Sequence, residues 1–214
     1  MSTCCQRAYD KEFDRSKAEK ELRQYQANGL KKSSRPLRDI LEGLPLQGSS
    51  LLDIGGGVGA LTFELIKRGI SRSVYVDISS PYVQTFREEV ERRLLETQVN
   101  SLQGDFLQVH PQIAPVDLVI LDKVICCYEN YEDLIRYSSA KAKHWYAFTL
   151  PRHRWWVRWG QGIYQAANRL LGRSFTTYVH PTARIEEILQ QAGFQKRRQS
   201  VRFFWTTMLF EKIS

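Results

Sequence analysis

The residues best placed to do chemistry in this sequence are a glycine-rich turn and the carboxylate in front of it. Residues 51–54 have the pattern of a buried strand that contains Asp53, and four glycines follow at positions 55, 56, 57 and 59, leading into an apolar helix over residues 58–68. A strand that leads through glycines into a helix brings backbone N–H groups and a helix N-terminus close to a ligand. The carboxylate attracts positive charge, so the pattern predicts a site for a cationic small molecule.

Part of the same turn also has the spacing of a dinucleotide-binding site. Gly55, Gly57 and Ala60 match the pattern G-x-G-x-x-G/A, in which the turn holds a pyrophosphate. Asp53 would repel a pyrophosphate, and a dinucleotide-binding domain needs a second domain for its substrate. In a chain of 214 residues little sequence remains for one. Dinucleotide binding is therefore kept as the alternative interpretation.

The elements that must position this turn alternate between strand and helix patterns. One helix start is clear, because Ser79 or Ser80 can cap a helix over residues 79–96 that has Pro81 in its first turn. The alternation predicts a parallel sheet with helices on both faces. Further strands are predicted over residues 73–76, 99–103, 116–121, 145–150, 194–201 and 205–212, the last two as antiparallel neighbours, and further helices over residues 6–29, 37–44, 131–140 and 182–192.

Three more carboxylates stand where predicted strands end. Asp77, Asp105 and Asp122 follow the second, third and fourth strands, much as Asp53 ends the first. In an open α/β sheet the ligand crevice lies outside the carboxyl ends of the strands. Four acids in one crevice are costly unless a cation or several hydroxyl and amino donors meet them. We therefore expect a ligand with positive charge and several hydrogen-bond donors.

In order and spacing, these motifs resemble those of class I S-adenosylmethionine-dependent methyltransferases over nearly the whole chain. The resemblance implies a Rossmann-like fold, a mostly parallel seven-stranded sheet with the last strand antiparallel and helices on both faces, and S-adenosylmethionine as cofactor. It implies that the glycine turn cradles the methionine part, that Asp77 holds both ribose hydroxyls, and that Asp105 accepts from the adenine amino group. The implied cofactor-binding residues are Asp53, Gly55, Gly56, Gly57, Asp77, Ile78, Asp105, Phe106, Leu121 and Asp122.

A narrower likeness concerns the second half of the chain. Residues 121–128, 178–180 and 203–206 resemble segments of magnesium-protoporphyrin O-methyltransferases. That family methylates a propionate on a large, flat, anionic macrocycle. The resemblance therefore implies a carboxylate acceptor as one alternative for the substrate.

Four residues are candidates for catalysis: Asp122, Lys123, Tyr128 and His180. Methyl transfer is an in-line displacement at an activated carbon, so the protein mainly aligns the nucleophile and excludes water. A base matters only where the acceptor carries a proton that must leave. His180 stands before Pro181 at a predicted helix start, where a histidine bonded to the backbone is the other interpretation. For a carboxylate acceptor no base is needed, and Lys123 or an arginine would orient it.

The four cysteines form two vicinal pairs, Cys4–Cys5 and Cys126–Cys127. The second pair follows the fourth strand and so lies near the predicted site, where both pairs together could bind a soft metal. Adjacent cysteines rarely chelate one tetrahedral ion, however, and small buried hydrophobic residues are the alternative. We expect no metal site.

The net charge of +8 is unevenly distributed. Residues 141–214 carry 13 Lys and Arg against 3 Asp and Glu, whereas residues 1–140 carry 18 against 20. Much of the tryptophan and arginine lies in residues 152–173, which could form one side of a substrate pocket, an RNA-binding stripe or a membrane-surface helix. A merely soluble basic surface is the remaining alternative.

We expect one methyltransferase domain with a small, aromatic or anionic metabolite as acceptor. Its expected parts are a helical lid over residues 1–48, a cofactor-binding core over 49–150, a substrate-side insertion over 151–180, and a last helix with two strands over 181–214. No run approaches the ~20 apolar residues of a membrane span, and no secretory signal is recognisable, so we expect a cytoplasmic protein. RNA methylation and a non-catalytic partner subunit remain alternatives.

Overall fold

The computed structural model describes residues 9–10, 12–153, 157, 159 and 176–213. Seven strands and seven α-helices follow one another in these residues. In chain order they are α1 (Arg15–Asn28), α2 (Arg35–Ile40), β1 (Ser50–Ile54), α3 (Ala60–Ile66), β2 (Arg72–Asp77), α4 (Ser80–Arg92), β3 (Val99–Gln103), α5 (Phe106–Val109), β4 (Val116–Asp122), α6 (Tyr131–Ser139), β5 (Ala142–Pro151), α7 (Thr182–Gln191), β6 (Phe194–Val201) and β7 (Trp205–Lys212).

The strands form one sheet in the order β3-β2-β1-β4-β5-β7-β6. All pairs from β3 to β5 are parallel, and β7 runs antiparallel to both β5 and β6. The predicted fold is therefore confirmed, including the antiparallel last strand and the hairpin of β6 and β7. The strand order reverses between β1 and β4, which creates the crevice where open α/β sheets bind ligands.

The sheet is buried on both faces, and β4 shows this most clearly. Leu118, Val119, Ile120 and Leu121 are each fully buried. Because successive strand residues point to opposite faces, Leu118 and Ile120 enter one apolar cluster while Val119 and Leu121 enter another. Helices must cover both faces of such a strand, which reads as a continuous apolar run.

Several helix boundaries differ from the predicted ones for local reasons. The helix predicted over residues 37–44 begins at Arg35, because Pro36 lies in its first turn, where a missing N–H costs nothing. The helix after the glycine turn begins only at Ala60, since Gly59 has the left-handed φ of 74°. α4 ends at Arg92, and Leu94 follows with a left-handed φ of 57°. The predicted cap of α4 is confirmed, because Ser79 accepts from the Tyr82 amide.

Most of the predicted insertion over residues 151–180, together with Cys4 and Cys5, lies outside the described residues. The predicted strand over 145–150 is longer than expected and begins at Ala142. In the described part of the chain, no helix is long and apolar enough to cross a membrane.

Helix α1 lies against α4, and a buried carboxylate joins them. The Glu89 side chain is 1% exposed and accepts hydrogen bonds from Arg92, Arg93 and, on α1, Gln26. Burial alone would raise the pKa of Glu89, but the hydrogen bonds from these three residues outweigh it and hold the pKa below its usual range.

Glu89→Gln should therefore destabilise the protein at pH 7 by about 1–3 kcal/mol, the contribution of hydrogen bonds to a charged group. A carboxyl with a depressed pKa in the folded state stabilises above its ordinary pKa and loses this effect as the pH falls. The difference from wild type in urea unfolding should shrink when the pH is lowered below about 4.5. Glu187→Gln is the matched control, because Glu187 pairs with Arg184 at the surface and should matter by less than ~1 kcal/mol. Equal losses for both variants at pH 7 would contradict the prediction.

Candidate functional site

A cavity of about 290 Å³ lies at the carboxyl ends of β1, β2 and β4. Residues before α1 and on it cover this cavity from one side. The covering segment contributes Tyr9, Phe13, Glu21 and Tyr25, and residues 30–34 contribute Leu30, Lys31 and Ser34. The end of β1, the glycine turn and the start of α3 contribute Asp53, Ile54, Gly55, Gly56, Gly57, Val58, Ala60 and Leu61. The remaining lining residues are Val76, Asp77, Ile78 and Tyr82 from the end of β2 and the start of α4, Gly104 and Phe106 from the segment after β3, and Asp122, Lys123, Val124, Cys127 and Tyr128 from the end of β4 and the loop after it.

The glycine turn brings bare backbone to the cavity. A Cβ on Gly56 would lie 2.7 Å from the Tyr75 ring and 2.8 Å from a carboxyl oxygen of Asp53, which leaves no room for a side chain. Gly57 has a φ of 58°, and a Cβ there would meet nothing nearer than the Tyr82 ring at 3.8 Å. The hydroxyl of Tyr75 holds the turn by donating to the Gly57 carbonyl over 2.6 Å. The turn thus presents open backbone to the cavity at Gly57, whereas at Gly56 the missing side chain allows close packing on Tyr75 and Asp53.

Asp53 is 1% exposed and lies beneath this turn. The Thr62 hydroxyl of α3 donates to its Oδ2 over 2.7 Å. Burial raises the pKa of Asp53 to about 7; the Thr62 hydrogen bond partly opposes this shift, whereas the negative charges of Asp122 and Asp77 add to it. A cationic ligand would reverse the penalty, because opposite charge favours the ionised carboxylate.

Asp77 ends β2 at the opposite side of the glycine turn. Its Oδ2 accepts from the Gly57 amide over 3.0 Å, and its Oδ1 accepts from the Ser79 amide over 2.9 Å. Burial raises the pKa of Asp77 to about 6 in spite of these N–H donors. Ile78 follows it and also lines the cavity. Asp77 therefore joins the turn to the start of α4 and presents a second poorly solvated carboxylate to the ligand.

Asp105 is not among the residues that line the cavity, and its predicted contact with an adenine amino group stays a prediction. It caps α5 by accepting from the Leu107 amide, and the Tyr128 hydroxyl donates to the same Oδ1 over 2.9 Å. Phe106, its neighbour, does line the cavity. The hydroxyl of Tyr128 is thus committed to a carboxylate, and burial raises the pKa of Tyr128 well above its usual range. Tyr128 cannot serve as a base in this state.

Two more predicted residues lie outside the cavity lining. Leu121 is fully buried in the core of β4. His180 bonds through Nε2 to the Tyr128 carbonyl over 2.8 Å and stacks on Tyr131. Burial lowers the pKa of His180, which keeps the ring neutral. The alternative interpretation of His180, a histidine satisfied by backbone at a helix start, fits this geometry.

Asp122 and Lys123 meet two serines at the end of β4. The Ser34 hydroxyl donates to Oδ2 of Asp122 over 2.6 Å, and Nζ of Lys123 lies 3.0 Å from the same oxygen. Lys123 also donates to Ser33 over 3.1 Å and to Ser34 over 2.8 Å. Its backbone has the left-handed φ of 64°, which is uncommon for a residue with a side chain and is typical of functional loops.

The segment that covers the cavity was predicted only as a helical lid. The Tyr9 hydroxyl donates to the Cys127 carbonyl over 2.9 Å, so the segment reaches the loop after β4. On the other side, Ser79 donates to the Phe13 carbonyl over 2.9 Å, and Asp10 accepts from the Ser80 amide over 2.9 Å. The sequence did not place Tyr9, Phe13 or Ser34 in the site.

The predicted absence of a metal site is not decided by the structure. Within the described ranges, no group of three or more His, Cys, Asp or Glu residues could hold a metal ion. Cys126 is buried and Cys127 lines the cavity, but Cys4 and Cys5 lie outside those ranges.

Comparison with known proteins gives one matching family model, one relative in sequence and several solved structures of similar fold. Residues 51–141 match the model of a family described as "Methyltransferase domain". Ribosomal protein L11 methyltransferase from Edwardsiella ictaluri (strain 93-146) is 32% identical over 78 residues. That stretch is 36% of this chain, and it spans only 24% of the relative's length.

The solved structures that are similar cover most of the chain at low identity. Magnesium protoporphyrin IX methyltransferase (ChlM) from Synechocystis PCC 6803 with bound SAH has a TM-score of 0.67 and 21% identity, covering 85% of this chain and 81% of the other. A SAM dependent methyltransferase from Aquifex aeolicus has a TM-score of 0.63 and 17% identity, covering 94% of this chain and 100% of the other. At such identities the likeness establishes the fold.

Asp53→Asn should stabilise the ligand-free protein at neutral pH, since the amide keeps an acceptor for Thr62 but carries no charge. With a folded pKa of about 7 and an unfolded value near 3.8, Asp53 makes stability fall as the pH rises between these values, and the penalty is complete above them. The gain at pH 8, measured by urea unfolding, should be roughly 2–4 kcal/mol and should shrink towards pH 4.

Asp117→Asn is the control, and its expected change in stability has the opposite sign. Burial opposes ionisation of Asp117, but hydrogen bonds from the Ser50 hydroxyl and amide outweigh it and lower its pKa. This variant should lose stability at neutral pH. Parallel pH profiles for wild type and Asp53→Asn would show that the buried carboxyl is not under strain.

Proposed function

We propose that this chain, which has the class I methyltransferase fold and a methyltransferase domain over residues 51–141, transfers a methyl group from S-adenosylmethionine to a small-molecule acceptor. The observation that carries the proposal is the set of three carboxylates, Asp53, Asp77 and Asp122, around one glycine-lined cavity at the strand ends. S-adenosylmethionine brings a sulfonium, an ammonium and two ribose hydroxyls, the cations and donors that such a cavity needs.

The residues present fit this cofactor. The bare backbone at Gly57 leaves space beside the cavity, and the Asp53 carboxyl below it has a raised pKa that positive charge would relieve. Asp77 presents a carboxylate at the end of β2, where the ribose is expected. Ile78 and Phe106 supply apolar contact for a flat ring. Asp105 would act through the start of α5 rather than by direct contact.

When bound, S-adenosylmethionine supplies a methyl group that is already activated by its positive sulfur. The chain then has to orient the acceptor and exclude water. The hydrogen bonds of Tyr9 and Phe13 to opposite sides of the cavity close the covering segment over it. That arrangement supports a lid that separates the reacting groups from solvent.

Aromatic rings on several sides of the cavity would contact a ring of the cofactor or of the acceptor. Tyr9, Phe13, Tyr25 and Tyr82 all line it. The porphyrin alternative rests on the likeness of residues 121–128, 178–180 and 203–206. The RNA alternative rests on the basic residues 152–173, most of which lie outside the described residues. A partner subunit without activity would not need to retain three carboxylates in a cavity at an energetic cost.

Asp77→Ala should weaken binding of the product S-adenosylhomocysteine by about 1.5–3 kcal/mol, or roughly 10–150-fold in Kd, because the ribose hydroxyls lose their acceptors. Isothermal calorimetry measures the affinity, and Asp77→Asn repeats the test with the shape of the side chain kept. Asp39→Ala is the control, since this exposed carboxylate pairs with Arg38 away from the cavity. Unchanged affinity in both Asp77 variants would remove Asp77 from the cofactor site.

Binding of S-adenosylmethionine should release protons near pH 6.5. Asp53 and Asp77, with pKa values of about 7 and 6, are partly protonated there, and a cation lowers both values. The calorimetric enthalpy should therefore vary with the ionisation enthalpy of the buffer, and affinity should rise between pH 5.5 and 7.5. Neutral-sulfur S-adenosylhomocysteine should release fewer protons, and Asp53→Asn should reduce the effect. The same enthalpy in every buffer would contradict the proposed contact with positive charge.

A further inference from the structure

The structure also bears on which acceptor groups fit this cavity, through the hydrogen bonds of Lys123. An ammonium has three N–H donors. Oxygen atoms of Ser33, Ser34 and Asp122 lie 3.1, 2.8 and 3.0 Å from Nζ of Lys123. Two donors of this lysine are thus used by the serines, and its charge is paired with Asp122. A carboxylate acceptor would have to displace one of these partners to bind Lys123.

The opposite is true of Asp122, whose second oxygen is unsatisfied. Oδ2 of Asp122 accepts from Ser34 and pairs with Lys123, whereas Oδ1 is buried and has no hydrogen-bond partner in the part of the chain that the structure describes. Leaving a buried carboxylate oxygen without a donor is costly. A ligand that brings an O–H or N–H group to this point removes the cost, and a carboxylate ligand does not.

The charges around the cavity favour the same kind of ligand. In the described part of the chain four acidic residues line it, and the two lysines among these lining residues are both paired with acids of that set. Lys31 pairs with Glu21 at 2.8 Å, and Lys123 pairs with Asp122. Before a cofactor binds, the described lining therefore has a net negative charge, which disfavours a carboxylate.

The position of Asp122 in the sheet separates it from Asp53 and Asp77, although the sequence placed all three among the cofactor-binding residues. Asp53 and Asp77 end β1 and β2, and the sheet continues from them to β3. Asp122 ends β4, which lies on the other side of β1 and next to β5. Its neighbour Lys123 places Nζ over the ring of Trp205 of β7, 5.9 Å from the ring centre. A cofactor that extends from β1 towards β3 leaves the β4 side of the cavity to the acceptor.

We propose, on the basis of the proposed function, that the methyl acceptor is a hydroxyl or a neutral amine whose O–H or N–H group donates to Oδ1 of Asp122. A lone pair of the acceptor forms the bond to the methyl carbon, and the methyl–sulfur bond breaks with its electron pair left on sulfur. A hydroxyl oxygen that gains a methyl group becomes strongly acidic, so its O–H bond breaks and the proton moves to Asp122, for which a carboxylate suffices as the base. The ammonium formed from an amine is a weak acid and keeps its proton in the hydrogen bond to Oδ1. Ser34 and Lys123 hold that carboxylate in position.

The chemical stability of the product tests this inference without knowledge of the acceptor. Purified protein is incubated with methyl-labelled S-adenosylmethionine and the organic-soluble small molecules of its source organism. The labelled product is then treated with mild alkali. A methyl ester is hydrolysed to volatile labelled methanol, whereas methyl ethers and methylamines keep the label. We expect the label to stay in the product, and volatile label would overturn the inference.

The role of Asp122 is tested in the same assay with Asp122→Asn. Loss of a base should lower label transfer by about 100-fold or more, while the Kd for S-adenosylmethionine should change by less than about 3-fold. Asp117→Asn is the matched control at the other end of β4, outside the cavity, and should transfer label like wild type. Unchanged transfer in Asp122→Asn, or a loss fully explained by weaker cofactor binding, would overturn the assignment.

The proposed function itself fails in a different way. If wild-type protein binds S-adenosylmethionine but labels nothing, or in parallel incubations labels only the RNA or protein fraction of the same organism, the proposed small-molecule methyl transfer is wrong, and the inference fails with it. If small molecules are labelled and the label is volatile in alkali, the proposed function stands and only the acceptor class is wrong.

Discussion

The carboxyl of Asp53 lies almost fully buried beneath the glycine turn, with the Thr62 hydroxyl donating to its Oδ2 and the negative charges of Asp77 and Asp122 close enough to raise its pKa. No cation in the described residues pairs with it. A folded protein keeps such a group only where something else compensates for it. The strand order places the carboxylates of Asp53, Asp77 and Asp122 at one crevice, where their negative charges repel one another. A ligand that brings positive charge and hydrogen-bond donors would relieve this repulsion.

The covering segment depends on the same crevice. Tyr9 reaches the carbonyl of Cys127 after β4, and Phe13 and Asp10 reach Ser79 and Ser80 at the start of α4. These contacts join both sides of the cavity through a few hydrogen bonds, each of which contributes only about 0.5–1.5 kcal/mol. Contacts of this modest strength suit the proposed lid, which would open for a ligand. Ring contacts of Phe13 with Tyr9 and Tyr82 give it an apolar inner side.

The sheet could be predicted because its signals are local. The buried run of β4, the cap at Ser79 and the glycines after β1 each determine their element within a few residues. The site was predicted in part, since strand-end position alone brought Asp53, Asp77 and Asp122 together. Asp105 lies at a strand end too, but it is held by the Leu107 amide and Tyr128, contacts that depend on side-chain direction after a turn. Ser34 gave no signal, because it lies 88 residues from its partner Asp122 in the chain.

Lys123 shows how charge in a sequence differs from charge available to a ligand. From its type and position it was expected to orient an anionic acceptor. In the structure its left-handed backbone places Nζ among Ser33, Ser34 and Asp122. Within the protein Nζ therefore donates to the two serines and pairs with the carboxylate. The same contacts leave the other oxygen of Asp122 as the unsatisfied group. Lys123 thus pairs with one oxygen of Asp122, and the other oxygen is left without a donor. In the proposed reaction the O–H or N–H group of the acceptor supplies that donor.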